Sequence, residues 1–248
     1  MEEGRQASLA VADPRSLLSP FQDGRFTIAG FGSLLSPRSA AFTFPELTNF
    51  RVGSIRGWRR VFAHTTAVFH ARGVARTDTR EVASLSVEEE AGGELIVALF
   101  DVPASAAAAA ALADREHEFR FVAVQARDAR GNLEPGLAVA CAAWNDAEYR
   151  AARCAPAEWA RRYTGAHPTT GAPFRIDAVW DDDAVLPCRP YLRHVVLAAQ
   201  ALGPLAEACV LDRTFLADRA TTVRQHLARD PTIMTELPPE ALRVRYGG

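Results

Sequence analysis

Paired cysteines and closely spaced histidines are missing from this sequence. Its four cysteines, Cys141, Cys154, Cys188 and Cys209, form no Cys-x-x-Cys pair, which excludes a zinc knuckle and a disulfide-rich scaffold. Its six histidines show no His-x-x-x-His spacing, the pattern that places two metal ligands on one face of a helix. We therefore expect inert, buried thiols and no metal site.

An excess of one charge and a long apolar run are also absent. The 28 basic and 30 acidic residues give a net charge of −2, which excludes the basic surface of a dedicated nucleic-acid-binding protein. No apolar run approaches the roughly twenty residues that cross a bilayer. The first residues, with Glu2 and Glu3, lack the basic and then apolar pattern of a secretory signal. We therefore expect a cytoplasmic protein without a nucleic-acid or membrane partner, whose oligomeric state the sequence leaves open.

What is present is the composition of a folded protein. Hydrophobic residues make up 48% of the chain and charged residues 23%, which is typical of a globular protein. The first residues have no clear periodicity and are interpreted as a flexible leader over residues 1–24. Without a long linker or an internal repeat, residues 25–248 are expected to form a single domain with a helical C-terminal part.

Strand candidates crowd the first part of the chain, and most helix candidates lie in the last hundred residues. The first 145 residues carry most of the strand candidates: Phe26–Phe31, two strands over Phe50–Phe69, a hairpin of Glu81–Val87 and Glu94–Val102 around Glu90–Gly93, Phe119–Val124 and Leu137–Ala142. The helix candidates are a short turn after Ser36-Pro37, Ala104–Arg115, Pro156–Tyr163, Pro190–Leu202 and Thr221–Arg229. This segregation favours an α+β fold, a small mixed barrel or sheet packed against helices.

The segment Gly30–Leu35 could carry chemistry because two glycines follow a predicted strand. Such a loop can direct several backbone N–H groups toward a carboxylate or a developing oxyanion. It lacks the third glycine of a dinucleotide-binding loop and the Gly-Lys-Ser/Thr of a phosphate-binding loop. Ser33 also lacks the Gly-x-Ser-x-Gly context of a hydrolase nucleophile. The structural alternative is a plain connection between a strand and a turn.

A second candidate is Leu112–Phe121, where charged residues follow the alanine-rich helix. Glu116 lies at the expected helix end with apolar segments on both sides, where it could be sheltered and carry protons near neutral pH. The structural alternative is a solvated helix end, in which neighbouring charges such as Asp114 and Arg115 pair at little net energy.

Taken in order, four segments resemble the γ-glutamylcyclotransferase family, most closely its ChaC-type, glutathione-degrading branch. Gly30–Leu35 resembles the family's Gly-Tyr-Gly-Ser-Leu loop, and Arg56–Phe62 is similar to its Gly-x-x-Arg-x-Phe strand. Leu112–Glu116 resembles the Leu-Asp-x-Arg-Glu segment, and Tyr191-Leu192 the start of the late helix. The resemblance covers roughly residues 26 to 205.

The resemblance implies a metal-free and cofactor-free lyase. It would cyclise a small-molecule γ-glutamyl substrate to 5-oxoproline, with glutathione giving Cys-Gly. Glu116 would be the catalytic general base and then acid. The substrate would be held by the glycine loop and a tyrosine, namely Gly30, Phe31, Gly32, Ser33, Leu34, Leu35 and Tyr191.

Several positions depart from the family pattern. Phe31 and Phe119 stand where the family has tyrosine, Glu118 stands where it usually has glycine, and the acidic residue before the Arg-Glu pair is displaced by one to Asp114. Losing two phenol hydroxyls would change how the substrate's amino-acid end is held. Two other readings therefore stay open, a non-catalytic binding module with the same fold and a serine hydrolase that uses Ser33.

Overall fold

The computed structural model of the chain describes residues 10–11, 16 and 24–247. Over these residues the protein has one large mixed sheet of nine strands and a separate two-stranded sheet, with the longest helix in the second half. The predicted α+β class is therefore confirmed. In the described ranges, no helix has both the length and the apolar character that a bilayer crossing requires.

The strands follow the order β1-β5-β7-β2-β4-β3-β11 across the large sheet, with β10 added to β4 and β6 added to β3. β8 and β9 form the small sheet. In chain order the strands are β1 (Ala10–Val11), β2 (Arg25–Gly30), β3 (Thr48–Thr65), β4 (Glu81–Pro103), β5 (Arg120–Val124), β6 (Ala126–Asp128), β7 (Ala138–Ala142), β8 (Thr164–Ala166), β9 (Pro173–Arg175), β10 (Leu186–Pro187) and β11 (Thr214–Leu216).

In the described residues, seven of the nine α-helices follow β4, the longest strand. The helices are α1 (Pro37–Thr43), α2 (Ala67–Ala71), α3 (Ala106–Arg115), α4 (Asp146–Ala152), α5 (Pro156–Arg162), α6 (Arg189–Leu202), α7 (Pro204–Asp212), α8 (Val223–Arg229) and α9 (Arg243–Tyr246). Short 3₁₀ turns also occur, and the one over Ser33–Leu35 joins β2 to α1.

The alanine-rich helix begins and ends where its residues predict. Six successive alanines have the highest helix propensity, and the Ser105 hydroxyl caps α3 by accepting a hydrogen bond from the Ala108 amide at 3.1 Å. At the other end, the Glu116 amide donates to the Leu112 carbonyl at 2.9 Å and closes the last turn. The prediction of this helix is confirmed, and it places Glu116 at the point where the chain leaves α3 for β5.

The predicted hairpin around Glu90–Gly93 is wrong. Residues 81–103 form one continuous strand, β4, and both of its halves pair antiparallel with β3. The register shifts between Arg56 and Trp58 of β3, so the extra residues of β4 form a bulge instead of a turn. A hairpin would need the two halves to pair with each other, whereas β3 is long enough to pair with both.

The prediction of two strands over Phe50–Phe69 is also wrong, because one strand, β3, covers Thr48–Thr65. β3 stops at Thr65, and Val68 and Phe69 belong to the short helix α2. The Thr66 hydroxyl accepts a hydrogen bond from the Val68 amide at 3.4 Å and caps that helix. A local cap therefore overrides the β-branched and aromatic residues that favour a strand.

Part of the predicted leader is in the sheet. Ala10 and Val11 pair antiparallel with Val122 and Phe121 of β5. Most of the remaining leader, residues 1–9, 12–15 and 17–23, lies outside the described residues. All four cysteines are buried and unpaired, as expected.

Candidate active site

The glycine loop is shaped by two side chains packed against it. β2 ends at Gly30, and the Ser33–Leu35 turn begins after Phe31 and Gly32. A Cβ atom on Gly30 would lie 2.5 Å from Leu34 Cβ, and a Cβ atom on Gly32 would lie 2.5 Å from the Tyr191 hydroxyl oxygen. Both positions therefore need glycine for space, and the loop is pressed onto the first turn of α6.

Some loop amides are already engaged within the protein. The Leu35 amide donates to the Gly32 carbonyl at 2.9 Å, and the Tyr191 hydroxyl, whose pKa is raised by burial, lies close enough to the Ser33 backbone for the latter to lower that pKa. The Leu35 amide is therefore already satisfied within the loop, and the Ser33 backbone lies against Tyr191. The amides of Gly32 and Leu34 are the remaining candidates.

Arg115 connects Glu116 to this loop. Arg115 Nε lies 3.0 Å from Glu116 Oε1, and the side chains are 4% and 16% exposed. The same guanidinium donates to Ser33 Oγ at 2.9 Å and to Thr43 Oγ1 at 2.6 Å. One buried arginine therefore joins the carboxylate at the end of α3 to the loop after β2 and to α1.

Glu116 and the loop line one cavity of about 90 Å³. At a liquid volume of about 30 Å³ per molecule, this space corresponds to about three waters. Among the predicted site residues, those that line the cavity are Phe31, Gly32, Ser33, Leu34, Glu116 and Tyr191. Gly30 and Leu35, at the two ends of the loop, are buried and do not line the cavity.

The two phenylalanines at the family's tyrosine positions lie side by side. The rings of Phe31 and Phe119 are 6.5 Å apart in an edge-to-face arrangement, and both line the cavity. Phe119 also contacts His64, at 4.6 Å between ring centroids, and Trp180, at 5.2 Å. This wall of the cavity is therefore aromatic and carries no phenol hydroxyl at these two positions.

A second carboxylate lines the cavity, and sequence reasoning noted it only as a departure from the family pattern. Glu118 Oε2 lies 3.0 Å from His64 Nε2, and Glu118 Oε1 accepts a hydrogen bond from the Tyr163 hydroxyl at 2.8 Å. His64 Nδ1 is in turn 2.6 Å from Ser84 Oγ. Burial alone would raise the pKa of Glu118, but His64, Thr66 and Tyr163 hold it below the usual value. Glu118 therefore contributes a negative charge to the cavity.

The hydrogen bonds continue from Glu118 away from the cavity. The Tyr163 hydroxyl is 2.8 Å from the Tyr149 hydroxyl, which lies 3.2 Å from Nδ1 of half-buried His117. Burial, together with the charges of Arg162 and Arg153, lowers the pKa of His117 to about 4. No sequence signal predicts this chain of contacts, because its members are separated by as many as 45 residues.

The C-terminal helix α9 closes one side of the cavity. Arg245 and Tyr246 both line it. The Tyr246 ring packs edge-on against Tyr191, at 6.1 Å, and against Phe69, at 6.2 Å. No motif in the sequence points to this segment, which begins about fifty residues after Tyr191-Leu192.

The environment of Ser33 does not suit a nucleophile. Its hydroxyl accepts a hydrogen bond from the Arg115 guanidinium, a group that cannot take a proton. Within the described part of the chain, no imidazole is hydrogen-bonded to Ser33 Oγ. A serine nucleophile needs an adjacent base, so this geometry argues against the serine-hydrolase alternative.

Solved structures similar to part of this chain include three that differ widely from it in sequence. An uncharacterized protein from Homo sapiens has 13% identity and a TM-score of 0.40, over 50% of this chain and 69% of its own. A γ-glutamyl cyclotransferase has 12% identity and a TM-score of 0.39, over 49% of this chain and 68% of its own. A protein from Arabidopsis thaliana, solved in solution, has 14% identity and a TM-score of 0.36, over 54% of this chain and 85% of its own. No protein-family model and no curated protein matches this sequence.

Proposed function

We propose that this protein is a γ-glutamylcyclotransferase that releases 5-oxoproline, with glutathione as the first substrate to test. In this reaction the α-amine of a γ-glutamyl group attacks its own γ-carbonyl carbon. The new lactam C–N bond forms, the C–N bond to the rest of the substrate breaks, and the rest departs as a free amine. The observation that carries the proposal is the shared cavity between the Glu116 carboxylate and the glycine loop.

Glu116 is the proposed proton carrier. As a carboxylate it takes a proton from the substrate's α-ammonium group, which frees the nitrogen lone pair for attack. It then returns a proton to the departing nitrogen, so that one group serves as general base and then as general acid. Arg115 orients the carboxylate through the contact at 3.0 Å.

The remaining cavity groups bind and orient in this proposal. Because nucleophile and electrophile belong to one molecule, folding the glutamyl chain back supplies much of the acceleration. The amides of Gly32 and Leu34 are the candidate donors to the tetrahedral oxyanion or to the α-carboxylate. The Glu118 carboxylate attracts the α-ammonium group before its proton is lost.

The direct test is product analysis with a matched pair of variants. The purified protein is incubated with glutathione and with simpler γ-glutamyl compounds, and 5-oxoproline is measured by mass spectrometry. Glu116→Gln should reduce kcat at least about a hundredfold, the scale of general acid–base catalysis. Asp114→Asn makes the same chemical change two residues away at an exposed position and should leave activity intact. Absence of 5-oxoproline from every compound would refute the proposed activity.

A binding module with the same cavity is the second candidate. The aromatic wall at Phe31 and Phe119 favours it, because the two hydroxyls that the family places there are missing. Tight binding of a γ-glutamyl compound by calorimetry, without turnover over hours, would support this alternative. Turnover that Glu116→Gln abolishes would eliminate it.

A further inference from the structure

Arg245 is a cation that lines the cavity. Within the described residues it forms no ion pair with a carboxylate, and its buried Nε has no hydrogen-bond partner. Its guanidinium carbon lies 5.4 Å from the Tyr246 ring centroid and 5.6 Å from that of Phe42. A buried charge without a partner is costly in a folded protein, so this guanidinium is a ready site for an anion.

The surroundings of Arg245 reinforce its preference for negative charge. Burial lowers the pKa of Arg245, and the charges of Arg115 and Arg72 also lower it, whereas Tyr246 and Glu116 raise it. Arginine nevertheless keeps its proton in proteins, so Arg115 and Arg245 both bring positive charge to the cavity. Arg115 is already engaged with Glu116, whereas Arg245 is held by aromatic packing alone.

The position of Arg245 favours a carboxylate at the outer end of the substrate. The guanidinium lies beside Phe42, which is 65% exposed, so Arg245 is on a side of the cavity that reaches the surface. The side chains of Arg115 and Glu116 are only 4% and 16% exposed. A γ-glutamyl group whose carbonyl lies beside Glu116 would then extend its amine fragment toward this side.

Resting on the proposed cyclotransferase function, we infer that Arg245 binds the carboxylate of the amine fragment that leaves. The substrate class is then γ-glutamyl peptides, whose leaving fragment ends in a carboxylate, and not γ-glutamyl amines, which lack one. A guanidinium and a carboxylate can form two parallel hydrogen bonds, which a neutral amide end cannot reproduce.

The test compares two substrates that differ only in this carboxylate, γ-glutamylglycine and γ-glutamylglycinamide. The unaltered protein should have a kcat/KM for the acid about ten- to a hundredfold above that for the amide, the range of charge-assisted hydrogen bonds. Arg245→Met should remove this preference by raising KM for the acid and leave the amide unchanged. Arg245→Lys should keep part of it. Arg243→Met, at an exposed position on the same helix, is the control and should change neither value.

Two results would overturn the inference. Equal kcat/KM for acid and amide in the unaltered protein would show that no group of the protein recognises the carboxylate of the leaving fragment. An equal loss for both substrates in Arg245→Met would assign Arg245 to the glutamyl α-carboxylate or to structure, and thermal unfolding of the variant separates these two.

A binding measurement separates this inference from the proposed function. Calorimetric titration of both compounds into Glu116→Gln measures Kd without turnover. If the proposed function fails but the inference holds, neither compound yields 5-oxoproline. The acid still binds more tightly than the amide, and adding Arg245→Met to Glu116→Gln removes this difference in Kd. Failure of the inference gives 5-oxoproline without discrimination between acid and amide. Absence of binding by both compounds overturns the inference as well.

Discussion

Gly32 and Tyr191 are in contact across the candidate site: a Cβ atom on Gly32 would lie 2.5 Å from the Tyr191 hydroxyl oxygen. The glycine that shapes the loop and the tyrosine that begins the late helix therefore form one packing unit. These residues are 159 positions apart (191 minus 32) in the chain, and their contact fixes the loop against α6.

This contact predicts the effect of Gly32→Ala. Overpacking of this kind costs about 1–3 kcal/mol of unfolding free energy. In a Tyr191→Phe background the same substitution should cost less, because the next ring carbon lies at 3.8 Å from the Cβ position, an ordinary contact. Urea unfolding of the four proteins measures the coupling between the two sites. Equal losses in the two backgrounds would contradict the contact.

Arg115→Met should weaken both the fold and the site. The substitution leaves the largely buried Glu116 carboxylate without its partner, and breaking a buried pair in this way costs about 3–5 kcal/mol. Ser33→Ala removes only one of the partners of Arg115 and serves as the milder comparison. Chemical unfolding gives the stabilities and 5-oxoproline release gives kcat. A stability of Arg115→Met equal to that of Ser33→Ala would show that the guanidinium does not hold the site together.

Glu118→Gln should raise KM more than it lowers kcat. The substitution removes the negative charge that attracts the substrate's α-ammonium group, and a charge-assisted hydrogen bond is worth about tenfold or more in affinity. Tyr163→Phe removes one hydrogen bond to Glu118 but keeps the carboxylate, so it should have the smaller effect on KM. A fall in kcat at constant KM would instead place Glu118 in the chemical step.

Acid should destabilise the protein between about pH 6.5 and pH 4, chiefly through His194. Burial lowers the pKa of this α6 residue to about 4, well below the ordinary histidine value of about 6.5. The unfolded state therefore binds more protons in this window, and stability falls as the pH falls. The difference of 2.5 pH units sets an upper size of about 3 kcal/mol. His117, with a pKa of about 4, adds in the same direction, but its half-exposed ring contributes less.

Urea unfolding at pH 7 and pH 4.5 measures this dependence. Glu118 also contributes, because its lowered pKa means that stability is lost as the pH falls through the folded-state value. His194→Gln should therefore reduce the loss of stability between pH 6.5 and pH 4.5 and leave the loss below pH 4.5 unchanged. A variant with an unchanged slope between pH 6.5 and pH 4.5 would remove His194 as the cause.

The sequence by itself determined the elements whose signals are local. Six alanines after Ser105 specify α3, and Gly203 ends α6 as predicted, because caps and helix propensity act within a few residues. The same local signals place Glu116 directly after a helix and Gly32 directly after a strand. The α+β class followed from the order of these elements along the chain.

Only the tertiary structure decided which distant residues meet. Glu90–Gly93 has the composition of a turn, yet it forms a bulge because β3 offers one partner strand to both sides of it. Glu118 gains its role from His64 and Tyr163, and Arg245 enters the cavity through the packing of α9. Such contacts depend on long-range packing and shared burial, which leave no periodic trace in the sequence between the residues they join.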